Sequence, residues 1–378
     1  MIYRAYGNSG VIVSALGFGC MRLPEEGEHV KTDVAVELLR KAMGLGVTYF
    51  DSAVGYCHGE SEATLGKSIA GRAREKLVIS TKNPDKSNDP ARWRAHLDTS
   101  LKRLDTDYID FYHFHGLTWS EYSEHLQPYG TMDEAHRAKD EGLVRHLSFS
   151  CHDAPGNIKK LIDTGEFAGM LVQYNLLDRR NEEAISYAHE HGLGVAIMGP
   201  VGGGRLVQPS EVIGRMISDA KSTAEVALRF VLSNTNVTLA LSGMDSINIL
   251  EENVATASRA EPLNTTQRQE IDAILEQISG MSECTGCGYC GPCPNGVDIP
   301  TNFTALNLLR AWGLRDLATS TYVALGKRKK EDSPAPAWAE ACVECGDCVS
   351  TAREPPCPQH IDIPERLKEV ADALFPTR

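Results

Sequence analysis

No stretch of the 378-residue sequence reaches the roughly 18–20 uninterrupted apolar side chains that a membrane-spanning helix needs, so no membrane partner is expected. The opening, MIYRAYGNSG, lacks the basic, then apolar, then small-residue order of a secretory signal, and the expected location is the cytoplasm. An excess of positive charge is also missing. Lys and Arg number 38 against 51 Asp and Glu, a net charge of -13, which argues against nucleic acid as a partner. Cysteine is sparse before position 284, where Cys20, Cys57 and Cys151 stand alone. Nor does a Gly-x-Gly-x-x-Gly turn follow the first apolar run, as it would in an open, doubly wound dinucleotide-binding sheet.

What is present is an ordinary globular balance, 42% hydrophobic and 24% charged, in a chain long enough for more than one domain. Eight short apolar runs begin at Leu16, Val47, Leu77, Tyr108, Val144, Gly169, Leu193 and Val237. Stretches of helical spacing lie between them, such as VAVELLRKAMGLG, where Val34, Leu38, Leu39 and Met43 share a face. Buried strands alternating with helices imply a parallel sheet, and eight such units predict a closed (β/α)8 TIM barrel. The polar GNSG start predicts a small hairpin covering the barrel's lower end.

The remaining cysteines, Cys284, Cys287, Cys290, Cys293, Cys342, Cys345, Cys348 and Cys357, crowd the C-terminal part of the chain. This step in composition places a domain boundary near Gly280, giving residues 1–279 and 280–378. In a reducing cytoplasm, dense C-x2-C spacing argues for metal rather than disulfides. Each group has three cysteines at x2 spacing and a fourth followed by proline, Pro294 or Pro358. That pattern points to iron-sulfur clusters, with four-cysteine zinc as the other choice.

In a barrel, chemistry belongs at the C-terminal ends of the strands. Asp51 ends the second strand, with Tyr56 in the loop beyond it; Lys82 ends the third and His115 the fourth. An ammonium beside a phenol favours the phenolate, which predicts that Lys82 lowers the Tyr56 pKa while Asp51 orients Lys82. Tyr56 would then act as general acid toward a carbonyl oxygen, with His115 donating a hydrogen bond to the same atom. His113, in the same segment as His115, reads as a packed neighbour.

The segments FDSAVGY, STK and DFYHFH resemble the Asp, Tyr, Lys and His segments of the aldo-keto reductase superfamily, with likeness extending from Tyr3 to Ala257. The resemblance implies an α/β barrel that reduces aldehydes, ketones or sugar-derived carbonyls with NAD(P)H. It further implies that Gln173 holds the nicotinamide carboxamide and that Ser150 serves the cofactor. Cys151 stands where the family commonly has Asn, and His152 is the candidate replacement. Gly202, Gly203 and Gly204 correspond to the loop along the pyrophosphate, and Glu252 and Asn253 to contacts with adenine. Gly243 and Ile249 occupy positions where basic residues clamp the 2′-phosphate of NADP, and Asp245 would oppose that phosphate. The resemblance then implies either a preference for NAD or weak cofactor affinity.

The cysteine segment resembles helical ferredoxin-like domains, an appendix found in one branch of aldo-keto reductase-like proteins. That likeness implies two 4Fe-4S clusters with crossed ligation: Cys284, Cys287, Cys290 and Cys357 for one, and Cys342, Cys345, Cys348 and Cys293 for the other. The long gap before Cys357 makes it the least regular ligand. Hydride transfer moves two electrons and a cluster passes one, and no flavin signature links the two. The clusters are accordingly structural, redox-sensing, or in exchange with a redox protein partner. The alternative to a carbonyl oxidoreductase is an electron-transfer or sensing protein whose barrel turns over little carbonyl.

Overall fold

The computed structural model describes residues 1–259, 263–281, 284, 290, 292–326, 337–349 and 361–375. Eight parallel strands close into a barrel: β1 (Leu16–Gly19), β2 (Tyr49–Asp51), β3 (Val78–Asn83), β4 (Ile109–Phe114), β5 (Val144–Cys151), β6 (Gly169–Gln173), β7 (Gly194–Met198) and β8 (Leu239–Ser242). Each pairs with its neighbours in sequence, and β8 returns to β1. Every strand lies within or beside one of the eight apolar runs. These runs are continuous rather than alternating because a parallel barrel strand is covered on both faces.

The crossovers contain α1 (Thr32–Gly44), α2 (Ser61–Ile69), α3 (Pro90–Leu104), α4 (Thr131–Asp140), α5 (Pro155–Asp163), α6 (Glu182–Glu190), α7 (Thr223–Ser233) and α8 (Ile247–Ser258). Local signals set their ends. Asp89 caps α3 by accepting from the Ala91 N–H at 3.0 Å, with Pro90 in the first turn. One reading of helical phase is corrected: in α1 the inward face is Ala35, Leu38, Leu39 and Ala42, and Val34 is exposed. Hydrophobic spacing alone favoured the larger Val34 over the small Ala35. Close packing of α1 on α2 selects the small side chains instead.

At the lower end, an antiparallel hairpin (Tyr3–Ala5 with Ile12–Ser14) presents Tyr6 to the barrel interior. The ring lies 4.3 Å from Phe111 and 5.9 Å from Tyr49, centroid to centroid. Strands β6 and β7 begin with glycine to admit it: a Cβ at Gly194 would sit 2.0 Å from the Tyr6 ring, and one at Gly169 2.4 Å. Val13, Val78, Leu171, Ala196, Leu239 and Leu241 complete this layer.

The chain divides into two compact units. The first comprises Met1–Gly204 with Ala227–Leu263, and the second Arg205–Val226 with Asn264–Arg378. This division differs from a boundary near Gly280 because helix α9 (Thr265–Met281) groups with the C-terminal unit, as does the segment 205–226. Within that unit, the Ser210 hydroxyl donates to the Trp312 carbonyl at 2.6 Å, and the Leu317 N–H donates to the Gln208 side chain at 3.0 Å. Neither tie is visible in a composition profile. The unit also contains α10 (Ile299–Arg310), α11 (Arg315–Leu325) and α12 (Ile363–Leu374), so it is mainly helical.

Helices α10 and α12 start alike. Asp298 and Asp362 cap them by accepting from Thr301 and Glu365 N–H groups, each with a proline two residues after the cap. In sequence, both caps lie five residues beyond a Cys-Pro, as CPNGVDIP and CPQHIDIP. No described helix is long and apolar enough to cross a membrane.

Candidate active site

Asp51 is the last residue of β2, and its partner in register on β3 is Ser80, two residues before Lys82. This register turns Asp51, Ser80 and Lys82 into the same mouth of the barrel. The Lys82 ammonium donates to Asp51 Oδ2 at 2.6 Å and to the Ser52 carbonyl at 2.7 Å, while the Ser80 hydroxyl donates to Asp51 Oδ1 at 2.9 Å. Lys82 is 1% exposed and Asp51 3%. Both ends of the ion pair therefore carry the further hydrogen bonds that a buried charge requires.

The chain then turns sharply. Cys57 and His58 both adopt positive φ, 49° and 54°, in the turn Tyr56–Gly59. Two consecutive left-handed residues without glycine are costly and are held here by their surroundings. Tyr56 is thereby set over the ion pair, with the Lys82 ammonium 4.6 Å from its ring centre. His115, just beyond β4, meets Tyr56 edge to face at 6.2 Å between ring centres, and its backbone N–H donates to the Asn83 carbonyl at 3.0 Å. The structure thus brings Asp51, Tyr56, Lys82 and His115 together at one rim. His113, the register partner of Lys82 on β4, is fully buried, and burial followed by the Lys82 charge pushes its pKa down to about 3.

Electrostatics correct one expectation. Lys82 does pull the Tyr56 pKa down, but burial acts more strongly and, with help from Asp51, leaves the phenol above its ordinary value of 10. Tyr56 is a protonated acid at neutral pH, not a phenolate. Burial alone would depress Lys82, yet Asp51 and Tyr56 reverse this and hold it above the usual lysine value, as an ammonium. His115 is pushed down to about 4, first by burial and then by Lys82, Lys86 and His152, so it is a neutral imidazole. Burial also lifts the three barrel thiols, Cys57 and Cys151 to about 11 and Cys20 well above its usual range, and none is poised as a nucleophile.

The predicted cofactor residues lie around the same mouth. Gly202, Gly203 and Gly204 have φ of 62°, 68° and 94°, a run that L side chains rarely adopt. The Gln173 side chain packs against Gly199, where a Cβ would come within 2.8 Å of its amide oxygen, and it has no hydrogen-bond partner among the described residues. Ser150 is buried and accepts from the Gly116 N–H at 2.8 Å, joining the ends of β4 and β5. His152 is exposed next to it. Asn253 on α8 donates to the Ser242 hydroxyl at 3.1 Å, and Glu252 is exposed. These residues fit a nicotinamide dinucleotide: an unpartnered amide for a carboxamide and a glycine-lined stretch for a diphosphate.

In the C-terminal unit, Cys293, Cys342, Cys345 and Cys348 line one cavity. The Asn295 amide donates to Cys345 Sγ at 3.8 Å. Among the described residues no three His, Cys, Asp or Glu side chains close on a single ion. Four thiols around a cavity fit a four-iron cube, which is larger than one ion and is held from outside by a thiolate on each iron. Cys284 lines a separate cavity with Arg310 and Arg366, and Cys290 is buried. Cys287 and Cys357 lie outside the described residues, as does the charged connector from Lys327 to Pro336.

Sequence reasoning passed over Ser80, which completes the hydrogen bonding of Asp51, and Arg22, which donates from beyond β1 to the Gly203 carbonyl at 3.0 Å. A serine two residues before Lys82 was the available signal for the first. Contacts distant in sequence hid the second.

Comparison with known proteins agrees with this geometry. The family model described as "Aldo/keto reductase family" matches residues 15–276, and one described as "4Fe-4S dicluster domain" matches residues 283–369. L-galactose dehydrogenase of Arabidopsis thaliana is 27% identical over 318 residues, 75% of this chain and 97% of that protein. The uncharacterized oxidoreductase YqkF of Bacillus subtilis is 28% identical, over 68% and 90% of the two chains. Among solved structures, the aldo-keto reductase AKR11C1 from Bacillus halodurans in its holo form superimposes with a TM-score of 0.63 at 29% identity, covering 72% of this chain and 96% of its own.

Proposed function

This chain belongs to the aldo/keto reductase family and carries a 4Fe-4S dicluster domain beyond its barrel, and from that premise we propose that it interconverts an aldehyde or ketone and its alcohol with NAD(P)H, using Tyr56 as the acid. The observation that carries this reading is the protonated Tyr56 phenol held over the buried Lys82–Asp51 pair, with neutral His115 beside it. Bound NAD(P)H supplies the hydride. Tyr56 delivers its proton to the carbonyl oxygen, Lys82 steadies the phenolate that remains, and Asp51 fixes Lys82. His115 donates a hydrogen bond to the same oxygen and orients it. Gln173 and the Gly202–Gly204 stretch hold the cofactor, assisted by Ser150, His152, Glu252 and Asn253. The name of the Arabidopsis relative supports a sugar-derived substrate. Exposed Asp245, with Gly243 and Ile249 in place of cations, supports NAD over NADP.

The test is isotope transfer. With NADH deuterated at the transferring position, the alcohol product should carry deuterium on the former carbonyl carbon; cluster reduction without labelled alcohol would instead favour the electron-transfer reading.

The pH dependence follows from the same groups. Tyr56 stays protonated until above its ordinary pKa of about 10, and His115 stays neutral above about 4. Carbonyl reduction should therefore show kcat/KM constant from roughly pH 6 to 9. A limb near 6.5 that disappears in His115→Gln would contradict the assignment.

Two clusters, with crossed ligands, complete the proposal. Cys293 is separated by many residues from Cys342, Cys345 and Cys348 in the chain yet lines their cavity, and the repeated C-P-x-x-x-D-I-P of the sequence supports Cys357 as the equivalent ligand for Cys284, Cys287 and Cys290. Anaerobically prepared protein should contain about eight irons per chain. Cys293→Ser, Cys342→Ser and the double variant should each retain about four, because both residues serve one cluster. Ligation within each motif would instead strip the double variant of all its iron.

A further inference from the structure

Where family members clamp the 2′-phosphate of NADP with a cation just after the eighth strand, this chain has Gly243. The structure shows what that glycine admits. The stem of Arg22 lies across it, so that a Cβ at position 243 would come within 3.2 Å of Arg22 Cβ and 3.3 Å of its Cδ. The guanidinium continues to the glycine stretch: Arg22 Nη2 donates to the Gly203 carbonyl at 3.0 Å, and Cβ atoms at Gly203 and Gly204 would lie 3.7 and 3.8 Å from its two terminal nitrogens. Arg22 is exposed, and among the described residues no carboxylate lies within ion-pair distance of it. Its donors beyond the one used on Gly203 are thus available, beside two glycines that carry no side chain of their own.

Resting on the cofactor reading above, we propose that Arg22 is a cation for the cofactor's diphosphate, delivered from the loop after β1. The chemistry suits the residue. Guanidinium offers a planar fork that matches phosphate oxygens two at a time, whereas the glycines allow the phosphates to approach without a Cβ in the way. Gly243 has a part in this arrangement, since a Cβ there would press on the arginine stem and require it to shift by a few tenths of an ångström. The diphosphate is common to NADH and NADPH, so Arg22 contributes affinity without choosing between them.

The experiment is fluorescence titration of wild-type protein and Arg22→Gln with NADH and with NADPH, at several ionic strengths, alongside thermal melts. Loss of one charge-assisted phosphate contact should weaken both cofactors by a similar factor, roughly 10- to 100-fold, with an unchanged melting temperature. The salt dependence of wild-type binding should diminish in the variant, and Arg22→Lys should recover part of the affinity. Equal affinity of variant and wild type overturns the assignment while leaving the cofactor reading intact. Weakening of NADPH alone overturns it in favour of a 2′-phosphate contact. Weakening with an unaltered salt dependence reduces Arg22 to a latch on Gly203. If wild-type protein binds neither nucleotide, the cofactor reading itself fails and this assignment with it.

Discussion

Tyr56→Phe is expected to lower kcat for carbonyl reduction by roughly 10²–10⁴-fold while leaving the NADH dissociation constant within about twofold of wild type. The substitution removes one hydroxyl and keeps the ring, so the edge-to-face contact with His115 and the position over Lys82 persist. What would disappear is the proposed proton source. Because burial holds the phenol above its ordinary pKa, the wild-type group carries its proton at neutral pH, whereas among the described rim residues His115 is neutral with a pKa near 4, the Lys82 ammonium is engaged by Asp51, and the nearby thiols are buried. Single-turnover and steady-state measurements separate the effects. A fall in affinity equal to the fall in kcat/KM would make Tyr56 a binding residue instead.

Lys82→Met should produce the largest loss of stability of any rim substitution, about 3–5 kcal/mol, because it leaves the Asp51 carboxylate buried without its counter-charge. The expected signature is non-additive. Asp51→Asn combined with Lys82→Met removes both charges, and much of the single-variant loss should return even though activity does not. Denaturant titration followed on the barrel's own unfolding transition checks this. Additive losses would mean that the pair does not act as a unit, and the hydrogen bonds from Ser80 and to Ser52 would then carry Asp51 and Lys82 separately.

The barrel was legible because its signal is repeated. Eight apolar runs separated by helical stretches leave few architectures, and each run corresponds to a strand. The rim was legible for a related reason: Asp51, Lys82 and His115 stand at or just past strand ends, an address that the topology itself defines. Quantities set by packing were not accessible in this way. Nothing in the spacing of α1 shows that Ala35 rather than Val34 faces inward, and nothing in FDSAVGY shows that burial outweighs Lys82 in setting the Tyr56 pKa. Arg22 belongs to the same class. Its significance depends on Gly203 and Gly243, which only the closed barrel brings beside it.

The ring of Tyr6 has a consequence for the order in which the molecule is made. It fills a hollow whose walls include the first residues of β6 and β7, and Gly194 leaves the ribosome about 190 residues after Tyr6 does. The hairpin bearing that ring must wait for its full berth through about half of translation, so an early-synthesised segment docks late. A bulkier residue at position 194 would leave that segment nowhere to dock, and the damage would register as failed maturation rather than as slower chemistry.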